Sequence, residues 1–155
     1  MIIKLIISLI APLLIGFLGS LSTASSIQTW YVALNKPPLN PPNQIFAPVW
    51  TIIYLLIGLN LFYLWKKRSQ QQLSPKIFNV FLLQLLLNAI WSPTFFGLQS
   101  PLFALIIIVS LLATLIWLAL QFKDKHKLNF WLLMPYIIWV SFATYLNLGI
   151  LILNI

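Results

Sequence analysis

The chain contains no cysteine, no glutamate, one aspartate and one histidine. Without cysteine there are no disulfides and no thiolate ligands, and the redox compartment leaves no mark. Asp124 and His126 stand two residues apart in the short run "KDKHK", outside every long apolar stretch. This inventory excludes carboxylate dyads, histidine proton relays, clustered metal ligands and a Ser-His-Asp triad within the apolar segments. All eight lysines fall at or beyond the ends of those segments, which also excludes a Schiff-base lysine in mid-membrane. Charge is scarce altogether: 6% of 155 residues are charged and 61% are hydrophobic, a balance foreign to soluble domains of this length.

Apolar sequence fills the chain instead. A membrane-spanning helix needs roughly 20 mainly apolar residues, and five such runs are present, at about 5–27, 45–65, 77–97, 101–122 and 129–153. They leave no room for a soluble domain. They are apolar all round rather than alternating, which selects helices over barrel strands. The expected fold is a single all-α integral membrane domain over residues 1–155, a compact bundle of five transmembrane helices.

The formal charge of +8 reports orientation. Lys4, Lys66, Lys67, Arg68, Lys76, Lys123, Lys125 and Lys127 flank the N-terminus and the second and fourth connections, whereas the other connections and the C-terminus share only Lys36. The positive-inside rule therefore predicts a cytoplasmic N-terminus and an external 28–44 linker, with contact to anionic lipid headgroups. Because the cations sit in gaps between spans and not on a polar face, no nucleic-acid partner is expected. The first 27 residues also have features of a cleavable signal peptide. Gly16, Ser20 and Ala24, four apart, favour a retained helix whose small-residue stripe admits a close neighbour.

The linker carries "KPPLNPP", four of the ten prolines, and cannot be a regular helix there. It should be extended or turned, and stiff. "FGLQSP" reads as a tight connection between the third and fourth spans. No internal repeat or pair of matching broken helices marks an alternating-access carrier.

What chemistry the spans carry lies in aromatics, amides and hydroxyls at helical spacing. Phe46, Trp50, Tyr54 and Gly58 form one stripe; Gln84, Asn88, Trp91 and Phe95 form a second; Pro135, Trp139, Ala143 and Asn147 form a third. An amide facing lipid is costly, so Gln84, Asn88 and Asn147 should point inward and take the aromatic residues with them. Asn88 and Asn147 read equally well as ties between helices and as ligand contacts. Trp30, Trp65 and Trp131 fit an interfacial aromatic belt.

The segments "WYVALNKPPLNPPNQIFAPVWTIIYLLIG", "QLLLNAIWSPTFFG" and "PYIIWVSFATYLNLGI" resemble the tryptophan-rich sensory protein and translocator protein family (TspO/MBR, once called peripheral benzodiazepine receptors), in its bacterial type. The resemblance covers all five spans. It implies a homodimeric five-helix protein of the bacterial inner membrane whose pocket, beneath the first loop, takes protoporphyrin or other tetrapyrroles and synthetic isoquinoline carboxamide or benzodiazepine-type ligands, with no cofactor and no metal required. The pocket residues it implies are Tyr31, Trp50, Asn88, Trp91, Trp139 and Ala143, to which the helical stripes add Tyr54 and Asn147, with the linker as a lid. Trp50 and Trp139 match the pair linked in bacterial relatives to light-dependent porphyrin breakdown, and would be catalytic only in that reaction. Lys36, Asn88 and main-chain amides near the lid are candidate donors to porphyrin carboxylates. The sterol motif of animal members is incomplete: Val140 and Tyr145 are present, but "LNLGILILNI" offers no basic residue. Three functions follow: tetrapyrrole binding and sensing, photodegradation without a metal, and facilitated transport of porphyrin or sterol-like ligands.

Overall fold

A computed structural model describes residues 1–155, and it is helical with no strand. The elements are α1 (Ile2–Ser26), a short α2 (Trp30–Ala33), α3 (Asn43–Ser69), α4 (Pro75–Ser92) continued by a π-helical turn (Pro93–Gly97), α5 (Pro101–Phe122) and α6 (Lys127–Leu153). Five are long and apolar enough to cross a membrane, which makes this an integral multi-pass membrane protein. Helices close their own backbone hydrogen bonds, as lipid demands.

Most spans run past the expected limits because hydropathy sees only their apolar centres. α3 continues through Lys66, Lys67 and Arg68, whose charges also suit a helix C-terminus. α4 starts at Pro75, a residue favoured in the first turn.

Helix α1 packs on α3 and α4, α3 on α6, α6 on α5, and α5 on α4, which closes the ring. The core lies among α3 to α6, where Leu64, Phe81, Leu115, Leu118, Phe122, Tyr136 and Val140 are inaccessible to solvent. Near the basic end Asn60 and Asn129 clasp each other: Asn60 Nδ2 donates to the Asn129 carbonyl (2.9 Å) and Asn129 Nδ2 to Asn60 Oδ1 (2.8 Å). In lipid such a pair ties α3 to α6 with little competition from water.

Helix α1 lies diagonally across its two neighbours. At the basic end it leans on α3, where Lys4 Nζ donates to Ser69 Oγ (2.7 Å) and the Ser8 carbonyl abuts Gly58. Pro12 has no N–H to give that carbonyl, four residues earlier, so Ser8 faces Gly58 without its helical bond. At the far end α1 leans on α4 and the π turn. There Ser92 Oγ donates to the Gly19 carbonyl (3.0 Å) and Ser26 Oγ to the Phe96 carbonyl (2.6 Å). The expected stripe therefore divides. Gly16 makes the close approach, to the Tyr54 ring, whereas Ser20 and Ala24 are exposed; Gly19 is in ordinary contact with Ser92.

The proline-rich linker is extended and turned, after one turn of helix at Trp30–Ala33. A β-turn over Pro37–Asn40, closed by the Asn40 N–H on the Pro37 carbonyl (3.4 Å), puts Leu39 at φ 68°. A leucine there is strained by about 1 kcal/mol, so surrounding contacts must hold it. Those contacts are with α6. Asn35 N–H donates to Asn154 Oδ1 (2.9 Å), Asn154 Nδ2 returns a bond to the Asn35 carbonyl (2.9 Å), and Tyr145 OH donates to the Pro38 carbonyl (2.8 Å). Pro37 is buried against Gly149, where a Cβ would stand 2.6 Å from its ring. The linker is a strap fastened to the last helix.

Candidate functional site: an aromatic cavity

One cavity of about 500 Å³ opens between α1, α3, α4 and α6 in the half of the bundle nearest the strap. Tyr31, Trp50, Tyr54, Asn88, Trp91, Trp139, Ala143 and Asn147 all line it. The four-residue spacing on α3 turns Phe46, Trp50 and Tyr54 to one side, and α4 and α6 bring their stripes opposite. Trp50 is central. Its ring stacks on Tyr54 (5.5 Å between centroids, 27°), lies 6.1 Å from Trp91, and meets Trp139 at 6.4 Å and 88°. Trp91 stacks in turn on Phe95 (5.7 Å, 26°). Such offset and edge-on pairs are worth about 0.5–1.5 kcal/mol each beyond area burial.

The amides hold this wall in place. Asn88 Oδ1 accepts from Tyr54 OH (2.9 Å) while its Nδ2 donates to Tyr136 OH (2.7 Å), so one side chain joins α3, α4 and α6. Asn147 Oδ1 accepts from Trp91 Nε1 (3.2 Å), and its Nδ2 donates to the Pro101 carbonyl (2.8 Å). Both amide groups are thus committed to the protein, which favours their reading as ties between helices. Trp139 differs, because its Nε1–H is buried and has no acceptor. It is a free donor within the aromatic wall.

Several expected positions fall elsewhere. Gln84 does point inward and is fully buried, but it does not line the cavity. Gly58 serves the α1–α3 contact, and Pro135 faces outward although Trp139, Ala143 and Asn147 share the wall. Trp30 is half-buried, edge-on to Phe95 at 5.5 Å, in a small core that includes Tyr31 and Ile150. Lys36 is not a lining residue; its ammonium donates to the Val32 and Leu34 carbonyls (both 3.2 Å) over the Tyr31 ring. It closes the C-terminus of α2. Of residues 28–42, only Tyr31 reaches the cavity, and its hydroxyl donates to Asn40 Oδ1 (2.9 Å). Burial pushes that phenol above its ordinary pKa, with the Asn40 bond pulling the other way.

Sequence reasoning missed the contribution of α1. Leu13, Gly16, Gly19, Ser20, Thr23, Ala24 and Ile27 complete the wall, and the stripe Gly16, Ser20 and Ala24 was the available signal. The cavity is open along the α1–α3 seam, where exposed Phe17, Ser20 and Ala24 face exposed Ala47 and Thr51. No charged side chain lines it.

Fold and cavity together define a polytopic helical membrane protein built around a tryptophan-lined chamber. The chain belongs to the TspO/MBR family, whose sequence profile it matches over residues 8–153. It is 43% identical over 153 residues to the tryptophan-rich protein TspO of Archaeoglobus fulgidus, covering 99% of this chain and 98% of that one. It is 42% identical to the protein of the same name from Chlorobaculum tepidum, covering 92% and 90%. With the translocator protein of Bos taurus it shares 36% identity, over 88% and 81%.

Proposed function

We propose that the protein binds a flat, conjugated tetrapyrrole of the protoporphyrin kind in this cavity, as a membrane receptor or sensor. The observation that carries the reading is the cluster of three indoles, Trp50, Trp91 and Trp139, with centroids 6.1 and 6.4 Å from the central ring, around a chamber lined by no charge. Such a surface suits a large apolar ring and leaves carboxylates unpaired, so propionate groups belong at the open α1–α3 seam, near Ser20, Asn43 and Thr51. The committed amide of Asn88 and the displaced Lys36 take no part. Coupled transport is disfavoured because no charged group in the chamber can couple movement to a gradient. Homodimerisation, binding of isoquinoline carboxamides and a bacterial inner-membrane orientation with the strap outside belong to the same proposal, on the strength of the family and the charge distribution. A reporter at residue 40 reading cytoplasmic would reverse that orientation.

Titration of purified protein with protoporphyrin in the dark, followed by tryptophan fluorescence, should give saturable quenching. Absence of saturation would overturn the reading. The contact between indoles also supports a second reading, in which bound porphyrin is photo-oxidised by dioxygen with indole as a participant. Trp50→Phe and Trp139→Phe should retain dark binding, with losses of about 1 kcal/mol from reduced stacking. If the indoles react, the double variant loses light-driven bleaching. Equal bleaching by wild type and double variant would eliminate the photochemical reading and leave binding intact.

A further inference from the structure

A second opening lies at the basic end, on the seam between α3 and α4 that α1 leaves uncovered by leaning on α3. It is a groove of about 310 Å³ whose apolar walls are Leu61 and Trp65 of α3 and Phe78 and Leu82 of α4. Arg68 forms its rim, with the guanidinium carbon 4.4 Å from the Phe78 ring centroid. The charge rests on an aromatic face and not on a carboxylate, and the side chain is exposed. Two further cations on the same end are held alike: Lys4 over Trp65 (5.6 Å) and Lys76 over Trp117 (5.5 Å). The chain has one acidic residue to set against nine basic ones, and it stands at Asp124, on the turn between α5 and α6.

We propose that this groove binds one anionic phospholipid, with an acyl chain along Leu61, Trp65, Phe78 and Leu82 and its phosphate on Arg68. An apolar slot continuous with the hydrocarbon region, closed at headgroup level by an arginine without a carboxylate, matches a molecule that is apolar along its length and negative at its end. A soluble anion would leave the slot unused, and a zwitterionic lipid carries its own cation against Arg68. Arginine suits the phosphate because two parallel N–H groups meet two oxygens.

The test carries the full-length protein from vesicles of equal phosphatidylglycerol and phosphatidylcholine into mild detergent and counts retained lipid by native mass spectrometry. Wild type should keep one phosphatidylglycerol over phosphatidylcholine by roughly tenfold, the scale of one charge-assisted contact. Arg68→Gln should retain the two lipids equally, and Arg68→Lys should recover part of the preference. Leu82→Trp, at a position 44% exposed and so tolerant of size, should fill the groove and lower retention of both. Lys123→Gln should match wild type. Circular dichroism and monodispersity establish that each variant is folded. Undiminished preference in Arg68→Gln, or unchanged retention in Leu82→Trp, would overturn the proposal. Displacement of the retained lipid by millimolar inorganic phosphate would mark a site for free anions and would overturn it equally.

Discussion

Releasing the strap from α6 should open the loop end of the bundle without unfolding it. Asn154→Ala removes the two bonds exchanged with Asn35, and Tyr145→Phe removes the bond to the Pro38 carbonyl. All three involve exposed or partly exposed groups, so each contributes at the lower end, about 0.5 kcal/mol. Together they amount to about 1.5 kcal/mol, which raises the open population of the strap roughly tenfold. The strain at Leu39 favours release in the same direction. Hydrogen–deuterium exchange of the double variant should therefore show faster uptake over residues 34–40, with the spans unchanged. Dissociation of a bound porphyrin should quicken by a similar factor if the strap restrains release. Unchanged exchange over 34–40 would show that these bonds do not hold the strap. Faster exchange with an unchanged release rate would make it a structural brace and remove it from the binding cycle.

Other outcomes follow from single contacts. His126 Nδ1 lies 2.7 Å from Lys67 Nζ; burial first, and then the charges of Lys67 and Lys125, lower its pKa below the ordinary value. Its neutral imidazole accepts from the ammonium, so its contribution to stability is complete above about pH 6.5 and declines as pH falls from there through the folded-state value. His126→Gln, which retains an acceptor, should remove this part of the pH dependence of thermal unfolding; an unaltered profile would refute the assignment. At Gly58 a Cβ would stand 2.8 Å from the Ser8 carbonyl oxygen and 2.9 Å from Leu9 Cα, both main chain. Gly58→Val should cost about 1–3 kcal/mol and lower the melting temperature by roughly 5 °C. A melting temperature equal to wild type would show that α1 shifts there freely.

The five spans were legible because length and apolarity alone define them in lipid. Their ends were not, since Lys66 to Arg68 continue α3 while lowering its hydropathy. Inward amides were legible from the cost of exposing Gln84, Asn88 and Asn147 to lipid, and all three are buried. Whether an inward amide meets a ligand or another helix depends on the partner across the bundle, which spacing within one helix does not encode; Asn88 found Tyr54 and Tyr136. The same limit concealed the Asn60–Asn129 clasp. The π turn at Pro93–Gly97 had a local signal in its proline and glycine, but its consequence, turning the Phe96 carbonyl toward Ser26, required the neighbouring helix. Stiffness of "KPPLNPP" was legible and its attachment to Tyr145, Gly149 and Asn154 was not, because those contacts join residues more than a hundred positions apart.

The diagonal seat of α1 makes the two openings opposite ends of one lever. With Gly16 against Tyr54 near its middle, a rigid rotation of α1 that narrows the α1–α3 seam at the strap end carries its other end away from α3 and toward the α3–α4 groove. Such a rotation narrows the chamber's mouth and crowds the groove together. If a molecule in the basic-end groove changes the affinity of the aromatic chamber by some factor, linkage requires that a chamber ligand change the groove's affinity by the same factor. The lipid composition of the bilayer then acts as a setting on the chamber, and an occupied chamber alters which lipids the protein keeps around it.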